Sequence, residues 1–111
     1  MNRYIFIFLS FMLLLFTPVS AAVYKGQKIF VKKCRKCHKG GQAFVAQKDI
    51  ESWQKLMKKK GKPLASLHLE EKKAKASWSY FKSNKYSKKS KHLKEFLIEY
   101  AQDSGSVPAC D

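Results

Sequence analysis

Cys34-Arg35-Lys36-Cys37-His38 constrains this chain more than any other stretch. Cys-x-x-Cys-His is the pattern of a c-type haem attachment site. On a helical turn, residues three apart face the same way. Cys34 and Cys37 can therefore reach one porphyrin edge together and add their thiols to its two vinyl groups. The imidazole of His38 can then coordinate the iron from one side as proximal ligand. A chain built around that group takes its function from the redox chemistry the group brings.

Other uses of Cys-x-x-Cys fit less well. A thioredoxin-like site needs a strand before the motif and a βαβ pattern around it, and neither is visible. A zinc site needs further Cys or His at close spacing. The remaining candidates, His68, His92 and Cys110, are all distant, and there is no second Cys-x-x-Cys pair. Three cysteines are an odd number, so haem attachment leaves Cys110 alone near the C-terminus. It is expected as a free thiol, with an intermolecular disulfide or partner contact as the alternative.

The N-terminus reads as an export signal. Met1-Asn2-Arg3 carries one positive charge, and Tyr4 to Phe16 is apolar except for Ser10. Thr17-Pro18 breaks the run, and Val19-Ser20-Ala21 offers small residues for cleavage. This is the three-part form of a secretory signal peptide. The expected division is a signal over 1–21 and one domain over 22–111. The alternative is an uncleaved anchor, although the apolar run is short of the roughly 20 residues that spanning takes. A domain this small has a modest core and often leans on a disulfide, metal or cofactor.

The periodicity predicts an all-α domain of three to four helices. The first covers Val23 to Lys36, with Val23, Gln27, Phe30, Val31 and Cys34 on one stripe. Gly26 lies near that face. A helical glycine costs about 1 kcal/mol relative to alanine, so its presence points to the close approach of another element. Gly40-Gly41 ends the segment, and Gln42 to Gln47 reads as a loop or short turn against the haem edge. Asp49 caps a second helix carrying Ile50, Trp53, Leu56 and Met57. Lys58-Lys59-Lys60 is its polar end, and Gly61 terminates it. A third helix is expected over Leu64 to Lys82, anchored by Leu67, Trp78 and Phe81 and either continuous or broken near Leu69. Residues 83–87 read as a linker. Leu93, Phe96, Leu97, Tyr100 and Ala101 then mark the last helix.

In this order of elements the chain resembles the class I monohaem cytochromes c. The likeness rests on a first helix with Gly26 and Phe30, then Cys34-x-x-Cys37-His38, and a last helix with Leu97 and Tyr100. It implies a small cytochrome c-like fold around one covalent haem c, with the first and last helices crossing where a glycine meets an aromatic residue. Gly26 and Tyr100 are the candidates for that contact. Haem attachment outside the bacterial cytoplasm goes with the resemblance and suits an exported, periplasmic protein.

The family usually supplies a methionine to the iron from a loop before the last helix, and this chain has none there. Beyond the leader its only methionine is Met57. His68, in Leu67-His68-Leu69, is the expected distal ligand. Met57 and His92 are the alternatives, and a vacant site, lysine or water are the remaining ones. Two nitrogen ligands give a lower reduction potential than a Met/His pair.

Charge is the second strong feature. The chain has 23 Lys and Arg against 8 Asp and Glu, a formal net charge of +15, and of the basic residues only Arg3 lies in the expected leader. Most of this is solvated surface, yet the field it raises speeds encounter with an acidic partner. Lysine suits transient docking. The expected function is periplasmic transfer of single electrons between redox partners with acidic docking surfaces. A haem-based small-ligand binder or sensor with an open distal site is the alternative. A non-specific phosphate binder, with Trp53, Trp78 and Tyr86 stacking on bases, is a third reading, but no nucleic-acid module is recognisable. No carboxylate pair or nucleophile triad points to an enzyme.

Overall fold

Six α-helices and one 3-10 segment make up the computed structural model, which describes residues 20–108. They are α1 (Ser20–Lys33), α2 (Gly41–Val45), α3 (Ile50–Leu56), α4 (Lys58–Glu70), the 3-10 segment (Lys72–Ser77), α5 (Trp78–Lys82) and α6 (Asn84–Glu99). There is no strand among the described residues, and the fold is all-α. The helices outnumber the three to four expected because α2, α3 and α5 are only one to two turns long. Of the expected leader, only Ser20 and Ala21 fall within the described residues, and Cys110 lies outside them. No helix among the described residues is long and apolar enough to cross a membrane.

The crossing of α1 over α6 is the most extensive helix contact. Gly26 makes it possible. A Cβ built there would collide with the backbone carbonyl oxygen of His92 and lie 2.7 Å from Cβ of Phe96. The aromatic partner of this glycine is therefore Phe96 rather than the expected Tyr100, which sits one turn further on and packs on Phe96 at 5.3 Å. Phe30 meets Phe96 from α1, ring centres 5.4 Å apart. Both rings are buried, and burial of each stabilises the crossing by about 1.5–3 kcal/mol. Val31, counted on the apolar stripe of α1, is exposed instead. The buried face of α1 is narrower than its pattern because it has to fit closely over one helix.

Asp49 caps α3 as expected, its side chain accepting a hydrogen bond from the Ser52 amide at 2.7 Å. The far end of α3 differs. The helix stops at Leu56, and Lys59, Lys60 and Gly61 take left-handed conformations with φ of 48°, 58° and 75°. Left-handed backbone costs roughly 1–2 kcal/mol for a residue with a Cβ, so the turn needs support. The Tyr86 hydroxyl supplies some by donating to the Gly61 carbonyl at 2.6 Å. Gly61 also has no room for a Cβ, which would collide with the Tyr86 ring. The turn is a kink inside the α4 range, and the regular helix follows it, with Pro63 near the start of that regular part, where a missing amide does least harm. The helical run then breaks at Glu71, in extended conformation, close to the expected break near Leu69.

The expected linker over 83–87 belongs to α6. Ser83 caps that helix, its hydroxyl accepting from the Tyr86 amide at 3.3 Å. Tyr86, Ser90, Leu93, Phe96 and Leu97 form its buried face. Beyond α6, the Gln102 amide donates to the Lys48 carbonyl at 2.8 Å, and the Ile50 amide donates to Asp103 Oδ1 at 2.8 Å. These bonds fasten the C-terminal turn to the start of α3.

Gly26→Ala tests the crossing. An ordinary helical glycine replaced by alanine stabilises by up to about 1 kcal/mol. Here overpacking reverses the sign, and a loss of about 1–3 kcal/mol is expected in denaturant unfolding. A gain would contradict the close approach.

Candidate functional site

Two imidazoles from distant parts of the chain face one cavity. His38 follows α1 in the turn that ends the Cys-x-x-Cys-His motif, and His68 lies in the last turn of α4. Their ring centres are 5.8 Å apart with planes at 85°. Cys34 and Cys37 line the same cavity, which has a volume of about 400 Å³. Phe30, Phe44, Trp53, Leu64, Phe81, Leu93 and Leu97 supply much of its apolar wall. Lys33, Lys48, Lys73 and Glu71 also line it.

Each imidazole is clamped. His38 stacks on Phe44 at 4.5 Å and His68 on Phe81 at 4.3 Å. His68 is held further through Nδ1, which lies 2.8 Å from the Leu64 carbonyl. A carbonyl can only accept, so Nδ1 carries a proton, and in the neutral ring the lone pair is on Nε2. This is the support that metal-binding histidines commonly have. The Trp78 indole donates to the His68 carbonyl at 2.7 Å and fixes the backbone as well. Burial, and then the neighbouring His68, hold the His38 pKa below its ordinary value. His38 is thereby kept neutral, with a lone pair to give.

The thiols are both free and differ from one another. Cys37 is exposed, whereas Cys34 is half-buried. Burial, reinforced by Cys37, pushes the Cys34 thiol up to about 12. It stays protonated at neutral pH.

The arrangement suits a flat metal complex better than a bare ion. Among the described residues no three His, Cys, Asp or Glu side chains converge on a point that could hold a metal. A structural zinc site asks for four such ligands. A porphyrin brings four nitrogens of its own and asks the protein for few ligands and an apolar pocket. His38, His68, Cys34 and Cys37 all line this mainly apolar cavity, so the residues present fit such a group.

The other expected candidates lie elsewhere. Met57 does not line the cavity; it is 4% exposed and packs beside Gly61 in the core. His92 sits at the α1–α6 crossing and faces a separate lysine-lined groove. Trp53 and Tyr86 are each 3% exposed, and the Trp53 indole donates to the Val45 carbonyl at 2.9 Å. Neither ring can stack on a base, which removes most of the aromatic support for the phosphate-binding reading. Leu67, expected as a buried anchor, is 56% exposed. It lines the cavity, as His68 does.

Phe44 is the main residue that the sequence did not single out. It lies in α2, where a loop was expected. Gly40, left-handed at φ 98°, turns the chain into this short helix and brings Phe44 back under His38. The available signal was the Gly-Gly pair followed by the apolar Phe44-Val45. Trp78 was counted only as an apolar anchor, although its indole nitrogen is what ties down His68.

Comparison with protein-family models, curated proteins and solved structures gives no match for this chain.

The thiols provide a test of the geometry. In the haem-free chain at pH 8, Cys37 is expected to react with iodoacetamide at least about tenfold faster than Cys34, as the thiolate is the reactive form. Peptide mapping separates both from Cys110. Equal rates at Cys34 and Cys37 would contradict the buried, protonated state of Cys34.

Proposed function

We propose that this chain is an electron-transfer protein that holds one haem c. Cys34 and Cys37 would carry it through thioether bonds, and His38 and His68 would ligate its iron. The observation that carries the reading is the 5.8 Å pairing of His38 and His68 in one apolar cavity that both motif cysteines also line. When bound, the group supplies reversible one-electron chemistry at its iron.

The chain's own residues position and shield that chemistry. Phe44 and Phe81 clamp the imidazoles, and the Leu64 carbonyl holds His68 through Nδ1. The apolar wall lowers the local dielectric and excludes water, so both ligation and potential depend on its packing. Two nitrogen ligands favour a lower potential than a methionine–histidine pair. In this respect the proposed site departs from the usual class I monohaem cytochrome c, which the chain otherwise resembles in helix order.

The net charge of +15 supports a carrier that meets acidic partners and leaves them again. Among the described residues the ion pair is Lys55 with Glu51, at 3.1 Å on the surface, so little of the positive field is neutralised internally. The expected export signal places this exchange in the periplasm. The competing reading, a ligand binder with an open distal face, is disfavoured by the second imidazole, His68, lining the same cavity as His38.

Two experiments test the proposal. The exported wild-type protein is expected to keep its haem on a denaturing gel, and Cys34→Ser/Cys37→Ser to lose it. Haem retained by the double variant would refute thioether attachment. Carbon monoxide is expected to bind the reduced wild type slowly and the reduced His68→Ala variant promptly, because the substitution opens one iron face. Prompt binding to both would remove His68 as a ligand and favour the ligand-binding reading.

A further inference from the structure

A second recess lies on the other side of α5 from the cavity. Its volume is about 360 Å³, and Lys25, Lys28, Lys32, Lys33, Lys85 and Lys89 line it along α1 and α6. All six lysines are exposed, and no Asp or Glu lines the recess. Burial and the neighbouring Lys25, Lys91 and Lys89 lower the pKa of His92, also in the recess, against an opposing effect from Glu95. The local field is thus strongly positive.

This recess is joined to the cavity through adjacent aromatic residues. Tyr80 faces the recess and Phe81 faces the cavity. Their ring centres are 5.2 Å apart, and Phe81 stacks on His68 at 4.3 Å. Lys33 caps the Tyr80 ring at 5.4 Å and lines both hollows. A group docked against Tyr80 is therefore two side chains, Tyr80 and Phe81, from His68.

We propose that this lysine recess is where the acidic face of a redox partner protein docks, with Tyr80 and Phe81 between partner and haem. The inference rests on the haem reading and adds the place of contact. Lysines concentrated in a concave surface focus the field, and their hydrated ammonium groups allow release after transfer. On docking, one electron leaves the iron, ferrous becoming ferric, and reduces the partner by one electron. No bond is made or broken.

The test uses the haem-loaded protein and ferricyanide as an anionic one-electron oxidant, which becomes ferrocyanide. Lys28→Glu/Lys89→Glu in the recess is compared with Lys58→Glu/Lys62→Glu, an equal charge change away from it. At about 0.1 M ionic strength the Debye length is about 10 Å, so charges near the contact dominate. The recess variant is expected to be oxidised at least about fivefold more slowly than the other variant, with the difference fading at about 1 M salt. Equal rates for the two variants would overturn the docking site while leaving the haem reading intact. So would a recess variant that matches the other against ferricyanide but loses binding to phosphatidylglycerol vesicles, which would assign the recess to lipid. Wild-type protein recovered without covalent haem would overturn the parent reading and this inference together.

Discussion

The apolar cavity between His38 and His68 is the constraint on which the rest of this structure depends. A domain of this size has little core to spare, and this one places a hollow of about 400 Å³ among its most apolar side chains. An apolar hollow forfeits the contacts that close packing would give. A ligand that binds only the folded state returns that stability, and a covalent one cannot leave. The half-exposed Leu67 and the clamped imidazoles make sense as parts of a wall that closes on a flat group.

The support for that wall is spread along the chain. The α1–α6 crossing, closed by Gly26 on Phe96, holds the end of α1 from which the cysteine motif projects. The left-handed turn at Lys59–Gly61, fastened by Tyr86, swings α4 around so that His68 comes opposite His38. Trp78 and Phe81, beyond the break at Glu71, then fix His68 from the other side. Because Tyr86 belongs to α6, one helix supports both sides of the cavity. The lysines contribute less to this support, although Lys33 and Lys48 lie over the Tyr80 and Trp53 rings; under the proposed function their charge selects which partners approach.

Features governed by local chemistry were legible in the sequence. The spacing of Cys34, Cys37 and His38 anticipated that the three would share one site, and they line one cavity; the Asp49 cap was readable because Asp before an apolar helical pattern has a backbone partner ready. The buried face of α6 followed from its apolar spacing, and Gly26 marked a close approach. Features set by distant contacts were not legible. Which aromatic residue meets Gly26 depends on the crossing angle, and the answer was Phe96. Two lysines in left-handed backbone contradict their own preferences, and only the Tyr86 bond from 25 residues away helps account for them. His68, the preferred distal candidate, faces the cavity, but its orientation by Leu64, Trp78 and Phe81 needed the fold to be seen.

Near-infrared magnetic circular dichroism of the oxidised, exported protein tests the pairing of His38 and His68 most directly, because the ferric charge-transfer band reports the two axial ligands. The wild type is expected to show a low-spin haem with the band of two imidazole ligands, lost in His68→Ala. A thioether-to-iron band, which Met57 would produce, or the absence of any haem band would contradict it.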